Sequence, residues 1–148
     1  MTTGIIVGDY WRLYIDDEPI GYATNCSLDL TRETKQTLHK DNYTVATGWA
    51  TSTLGTASGT FSGEAFFSQD GYNTGTHLSP FDIFTLLSAG TQVTVQFRIP
   101  AANDAAGDQY FEFDAYITGQ GIAAPTNDNA TMSFSGIVNG EPTLVTIT

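Results

Sequence analysis

Two neighbouring stretches fix the class of fold open to this chain. In "QVTVQFRI", Val93, Val95, Phe97 and Ile99 alternate with Gln92, Thr94, Gln96 and Arg98. In "YFEFDAYI", Phe111, Phe113, Ala115 and Ile117 alternate with Tyr110, Glu112, Asp114 and Tyr116. A period of two turns one side of an extended chain to a core and the other to water, and no helix fits it. "AANDAAGD" between the two reads as a hairpin loop. The rule extends to "WRLYID", where Trp11, Leu13 and Ile15 face one way and Arg12, Tyr14 and Asp16 the other. After the turn "DDEP", the run "IGYATNCSLDLTRE" reads as a returning strand, so residues 10–33 are expected to form a hairpin. "SGTFSGEAFF" is a further strand whose Gly59 and Gly63 share a face with Phe61, Ala65 and Phe67, which implies close backbone approach or a bulge. "ATMSFSGIV" is another. "PTLVTIT" is expected as an edge strand or as part of a C-terminal arm over 140–148.

One segment breaks the pattern. In "SPFDIFTLLSAG", Ser79 is a good N-cap and Pro80 suits the first helical position. Asp82 complements the N-terminal dipole and Gly90 can close the C-terminus. Phe81, Ile83, Phe84 and Leu87 give this helix, about 80–89, an apolar stripe to lay on a sheet. From Glu33 to Ala57 the chain is rich in Thr, Gly and Asn, and a long loop is expected over about 33–57. With 148 residues and no internal repeat, the chain reads as one domain. The expected fold is mainly β: an antiparallel sandwich or small barrel with one flanking helix and a long loop after the second strand.

Charge narrows the function. Sixteen acids against five bases give a formal net charge of −11, and such a surface repels phosphate backbones and anionic lipid headgroups. Ordinary nucleic-acid binding is disfavoured, although an acidic wall suits a protein whose task is to avoid sticking to nucleic acid. The single Cys26 forms no internal disulfide and lies in an alternating run, as a buried thiol would. "MTTGIIVGDYWRLY" has neither a basic start nor an apolar run of signal-peptide length, and no stretch approaches a membrane span, so folding in a cytoplasm is expected. The sequons at Asn25, Asn42 and Asn129 then read as chance occurrences in a Thr-rich chain.

Few residues point to chemistry. The acids at 16–18, 103–108 and 126–129 do not match the spaced calcium loop and read as solvated turns. Glu64, Glu112 and Asp114 all lie on strands, where a carboxylate pair for glycoside hydrolysis is conceivable, but outward acids need no such role. There is no phosphate loop, no Cys/His metal spacing and no nucleophile elbow, so neither catalysis nor a cofactor is expected. Tyr14, Tyr110 and Tyr116 on polar strand faces, with Trp49 in the long loop, suit a protein interface or a sugar-stacking surface.

Four blocks, taken in order, resemble the phage major tail protein family, which forms tail tubes. They are "TNCSLDLTRETKQTLHKDN…GW" (24–49), "SGTFSGEAFF", "FDIFTLLSAGTQVTVQFRI" (81–99) and "YFEFDAYITGQGIAAPTNDNATMSFSGIVNG" (110–140). The resemblance spans nearly the whole chain. The segment after Trp49, "ATSTLGTASG", is more Thr-rich and less charged than the family pattern. The resemblance implies homohexameric rings whose subunits pool their sheets into one barrel, stacked into a tube. Such a tube encloses a tape measure protein during assembly, meets tail terminator and baseplate or tip proteins at its ends, and conducts DNA without specific binding. It would reside in a virion made in the bacterial host cytoplasm, without inserting in a membrane, and a phage, a gene transfer agent or a tailocin is equally compatible. Asp29, Glu33, Glu64, Glu112 and Asp114 are the candidate acids for the channel wall.

The resemblance also accounts for "TRETKQTLHKDNY" (31–43), which gathers three of the five bases. In the family the loop after the second strand reaches the next ring. Lys35, His39, Lys40, Asp41, Asn42, Tyr43, Val45 and Trp49 are the expected inter-ring residues, with charges setting register and Tyr43, Val45 and Trp49 supplying most of the adhesion. The alternative reading is a carbohydrate-binding β-sandwich of a host-recognition structure.

Overall fold

Seven strands pair into one antiparallel sheet in the computed structural model, which describes residues 4–36, 52–69, 77–100 and 103–148. In chain order the strands are β1 (Arg12–Ile15), β2 (Glu18–Pro19), β3 (Ala23–Gln36), β4 (Ser52–Phe66), β5 (Val93–Arg98), β6 (Gln109–Ala123) and β7 (Thr131–Thr146), with helix α1 (Pro80–Ala89) between β4 and β5. Their lateral order is β2-β1-β5-β6-β7-β4-β3. The expected mainly-β, one-helix architecture therefore holds.

The alternation read from the sequence sets the faces. Leu13, Ile15, Val93, Val95, Phe113, Ala115 and Ile117 are buried as expected, each opposite a polar neighbour on its own strand. The core closes around Phe61, whose ring meets Phe113 at 5.7 Å and Phe134 at 6.4 Å between centroids. Fully burying such a side chain stabilises by about 1.5–3 kcal/mol. Glycine makes room for it: a Cβ on Gly136 would strike the Phe61 ring and the Tyr116 carbonyl, and one on Gly63 would come within 2.6 Å of the Phe134 ring. The close approach expected at Gly59 and Gly63 is thus present, with Gly59 lying against Leu30 and Val138.

Helix α1 begins and ends as its sequence dictates. The Ser79 hydroxyl accepts a hydrogen bond from the Asp82 amide, and the Asp82 carboxylate accepts one from the Ser79 amide at 2.9 Å, a reciprocal capping box. Gly90 stops the helix in the left-handed region at φ 64°. Its buried side is formed by Pro80 and Ile83, with Leu86 and Leu87 half-buried. The expected stripe was drawn differently: Phe81 and Phe84 are exposed, because positions 80, 83 and 87 form the row that meets the sheet and positions 81 and 84 lie beside it.

The 10–33 hairpin does not form. β1 pairs with β5, from Arg12↔Arg98 to Ile15↔Val95, and β3 pairs with β4 at the far edge. The "DDEP" turn returns only two residues of β2 to β1. Asp16 and Asp17 take positive φ there, and Tyr22 a second positive φ (55°) that redirects the chain before β3. The sheet curls until β1 and β3 confront each other across a groove of about 600 Å3, lined by Trp11 and Arg12 on one side and Ala23 and Cys26 on the other. No ladder between them is formed among the described residues, so the curl is an open barrel.

The loop expected over 33–57 is partly strand. The β3–β4 ladder continues to Gln36↔Ser52, so 33–36 belong to β3 and 52–57 to β4. Residues 140–146, expected as an edge strand or arm, continue β7 along β6 as far as Gln109↔Thr146. Among the described residues no helix is long and apolar enough to cross a membrane.

Gly136 sits where overpacking has no room to relax, since a carbonyl and a packed ring oppose it from two sides. Gly136→Ala should lower stability by about 1–3 kcal/mol in denaturant unfolding, and an unchanged midpoint would contradict this packing.

Candidate functional site

Away from the core, the four long strands present a hydroxylated face. Asn25, Ser27, Asp29 and Thr31 of β3 stand opposite Glu64, Ser62, Thr60 and Ser58 of β4. Ser133, Ser135 and Ile137 continue the rows onto β7. The Ser27 and Ser62 hydroxyls hydrogen-bond at 2.5 Å, and those of Thr31 and Ser58 at 3.2 Å. On β6 the face flattens to glycine. A Cβ on Gly119 or Gly121 would come within 3.1 or 3.0 Å of the Ser135 or Ser133 hydroxyl.

The sequence-selected acids distribute over this face without clustering. Asp29, Glu64 and Asp114 are exposed on it. Glu112 is half-buried and accepts a hydrogen bond from the Gln96 amide at 2.8 Å. Glu33 lies farther along β3, at the register shift, with its side chain against Gly55. Glu64 shares a row with Ser133, and Asp114 one with Asn139. At ~3.4 Å per residue those rows stand about 20 Å apart along β7. A glycosidase pair requires about 5–9.5 Å, so Glu64 and Asp114 do not form one.

Two of the aromatic side chains selected as surface anchors, Tyr110 and Tyr116, are instead engaged within the chain. Tyr14, Tyr110 and Tyr116 are half-buried. The Tyr116 hydroxyl donates to Gln92 at 3.1 Å, and the Arg98 guanidinium stacks over the Tyr110 ring at 4.5 Å while pairing with Asp104 at 2.7 Å. Burial pushes the Tyr14 hydroxyl above its ordinary pKa, against the lowering effect of Arg12 and Arg98. Lys35 is exposed near the end of β3, paired with Thr53. His39, Lys40, Asp41, Asn42, Tyr43, Val45 and Trp49 lie outside the described residues.

The turn acids hold local structure. The Asp16 carboxylate accepts from the Thr94 amide at 3.1 Å, that of Asp108 from the Ala105 amide at 3.0 Å, and that of Asp128 from the Asn129 amide at 2.7 Å. Among the described residues no group of three or more His, Cys, Asp or Glu is arranged to hold a metal ion. Cys26 is a free, half-buried thiol packed on the core. Burial pushes its pKa up, partly offset by a hydrogen bond with the Leu13 backbone and by the Arg12 charge.

The feature that the sequence reading did not bring out is a fork in the sheet. The β4–β7 ladder runs from Phe66↔Thr131 to Thr60↔Ile137 and stops. Beyond it β4 continues with β3 alone and β7 with β6 alone. Its cause is local to β7, where Asn139 faces Asp114 and Thr143 faces Glu112, so Gly140, Glu141 and Pro142 bulge out between them. Gly140 takes φ 93°, and Pro142 has no amide to give a ladder. The opening is a cleft of about 550 Å3 with Leu30, Phe111, Val138 and Leu144 in its lining. Leu30 is 47% and Leu144 59% exposed, and the facing backbone edges have no ladder partner among the described residues. Bare edges of this kind invite another strand.

No protein-family model matches the chain, and no curated protein sequence matches it. Solved structures do. A chain from the virion of a native gene transfer agent particle superposes with a TM-score of 0.72 at 18% identity, covering 95% of this chain and 99% of that one. A chain from the SPP1 tail tube gives 0.69 at 10% identity, covering 97% and 81%. One from the sheath–tube complex of an extracellular contractile injection system in its extended state gives 0.65 at 12% identity, covering 97% and 93%. The chain thus has the fold found in these particle and tube chains, across nearly its whole length.

Proposed function

We propose that this protein is a structural subunit that polymerises head to tail into the tail tube of a phage or of a phage-derived particle. The observation that carries the proposal is the open, seven-stranded sheet with unpaired margins, in a fold shared end to end with chains of the SPP1 tail tube and a gene transfer agent virion. A sheet with free edges is a liability in a monomer and an asset in a polymer, where the neighbour supplies the missing hydrogen bonds. A repeated heterologous contact closes into a ring or extends as a filament. The role is architectural rather than enzymatic.

In this reading hexameric rings stack around a channel through which DNA passes without being held. The hydroxylated face, with Asp29, Glu64 and Asp114 spaced across it, forms the channel wall, and Glu112 and Glu33 flank it. Hydroxyls offer a phosphate backbone no charge to grip, and scattered carboxylates repel it, so no counterions are released on contact. A tape measure protein occupies the channel during assembly, and terminator and baseplate proteins end the tube in a virion that assembles in the host cytoplasm. Lys35 at the end of β3 leads into the inter-ring segment, where His39, Lys40, Asp41, Asn42, Tyr43, Val45 and Trp49 meet the adjacent ring. The glycan-binding alternative is weakened, since Tyr110 and Tyr116, two of the strand tyrosines it would use, are engaged in contacts within the chain.

Concentrated purified protein should form rings or tubes in negative-stain images, and deletion of residues 41–48 should leave rings that no longer stack into long tubes. Isolated globules from the intact chain would refute the assembly reading, and long tubes from the deletion would refute the inter-ring role. The wall assignment is tested separately with Glu64→Lys combined with Asp114→Lys. Tubes should still form, but DNA ejection should slow by at least about tenfold at low salt and recover as salt rises, because added cations grip phosphate through counterion release. Ejection at the normal rate through such tubes would remove these residues from the wall.

A further inference from the structure

The cleft where β4 and β7 part company has a complement elsewhere on the same chain. Ahead of β1, residues Gly4–Tyr10 run along the surface, ending in a single 3-10 turn from Gly8 to Tyr10. Within this arm Ile5 is 99%, Ile6 38% and Val7 54% exposed. Val7 is extended (φ −73°, ψ 134°), and the arm has no ladder partner among the described residues. Three consecutive exposed β-branched residues have high strand propensity and nothing to pair with, a combination that soluble proteins avoid unless it is used.

The cleft supplies what the arm lacks. Its walls are two strand margins with unused backbone groups, and Leu30 and Leu144 lie exposed within it. Arg32 lines the cleft and makes no ion pair with a described residue. Asp9 follows Val7 by two positions and is likewise without an ion pair among the described residues. An arm entering the cleft can bring that acid to that base, which shares the cleft lining with Glu141.

We propose that Ile5, Ile6 and Val7 of one copy enter the β4–β7 cleft of a neighbouring copy as an added strand, with Asp9 meeting Arg32. This rests on the tube reading for its partner, a second copy of this chain, and adds the contact that joins copies. Register places the contact sideways rather than end to end. Leu13, Phe97, Phe111 and Leu144 form one row across β1, β5, β6 and β7. The arm leaves β1 beside that row, and the cleft opens on it, so donor and acceptor lie at the same level. The arm's own side chains rest near Ile99 and Asn103, on the β5–β6 loop. Insertion into a neighbour at equal height builds a ring, and rings are what a tube stacks.

The test uses two full-length variants in a Cys26→Ala background, Val7→Cys and Leu144→Cys, the first grown on heavy nitrogen. They are mixed, assembled, oxidised and separated without reductant. The expected result is a disulfide-linked heterodimer of mixed mass, lost when Ile6→Asp is added to the arm. Tubes that form without the heterodimer, or with the link only inside one chain when both cysteines are placed together, overturn the inference while leaving the tube reading intact. A heterodimer in a sample that forms neither rings nor tubes supports the arm contact and refutes the tube reading. Neither product refutes both.

Discussion

The structure depends on one contact: the ring of Phe61 held between Phe113 and Phe134 beneath a strand that carries glycine at 136. It joins β4, β6 and β7 at a single point. A side chain at 136 would push β7 off the ring and break the registers on both of its sides. From this centre the sheet extends in both directions with its apolar face inward. The capped helix then brings Ile83 into the core, packing on the strand that carries Gln120, whose amide donates to the Pro80 carbonyl at 2.8 Å. Around this aromatic centre the core is filled by aliphatic side chains, Leu13, Ile15, Ile20, Ile83, Val93 and Val95 among them, all almost fully buried.

The same centre sets where pairing fails. Around Phe61 the three strands are locked in register; four residues on from Gly136 along β7 the Gly140–Pro142 bulge begins, and beyond Ile137 the two ladders separate. A glycine at positive φ followed closely by a residue without an amide is an efficient way to end one side of a ladder while preserving the other. β6 still pairs with β7 to Thr146, so the bulge costs the strand one neighbour and not two. The free margins that make association possible thus begin at three residues, about 14 Å along β7 from the well-packed core at Gly136.

What could be read without coordinates was whatever repeats locally. Period two gave the inward and outward sets of β1, β5 and β6 with one exception, Gln96, which is buried and donates to Glu112, and the Ser79–Pro80–Asp82–Gly90 pattern marked both ends of the helix. Pairing was less legible, because alternation states which face a residue takes and not which strand lies alongside. "WRLYID" and "NCSLDL" looked like hairpin partners only because they are adjacent in sequence; Tyr22 at positive φ sends the second to the opposite margin. The strand tyrosines were read as free for the same reason. Gln92 is 24 positions from the Tyr116 hydroxyl it receives, and no local pattern announces such a partner. The polar-face acids were legible as outward, but their separation by whole rows was not. The fork left a trace, since "NGEP" interrupts an otherwise strand-like run, yet that signal reads equally as the end of a strand.

Charge placement bears on how such a surface could work. The described acids divide between the turns, where Asp16, Asp108 and Asp128 accept from backbone amides, and the strands, where Asp29, Glu64 and Asp114 stand exposed on the hydroxylated face. Screened fields decay over about 8 Å at physiological ionic strength, so carboxylates at the turns would reach only part of a polymer moving past the sheet. Between them the surface meets that polymer with Ser and Thr hydroxyls, already engaged with one another across β3 and β4. Hydroxyls carry no charge, so they give up no counterions when a passing group leaves. In a channel built from this face, low friction would come as much from neutral groups as from repulsion, because the carboxylates of Asp29, Glu64 and Asp114 are spaced out among hydroxyls and glycines.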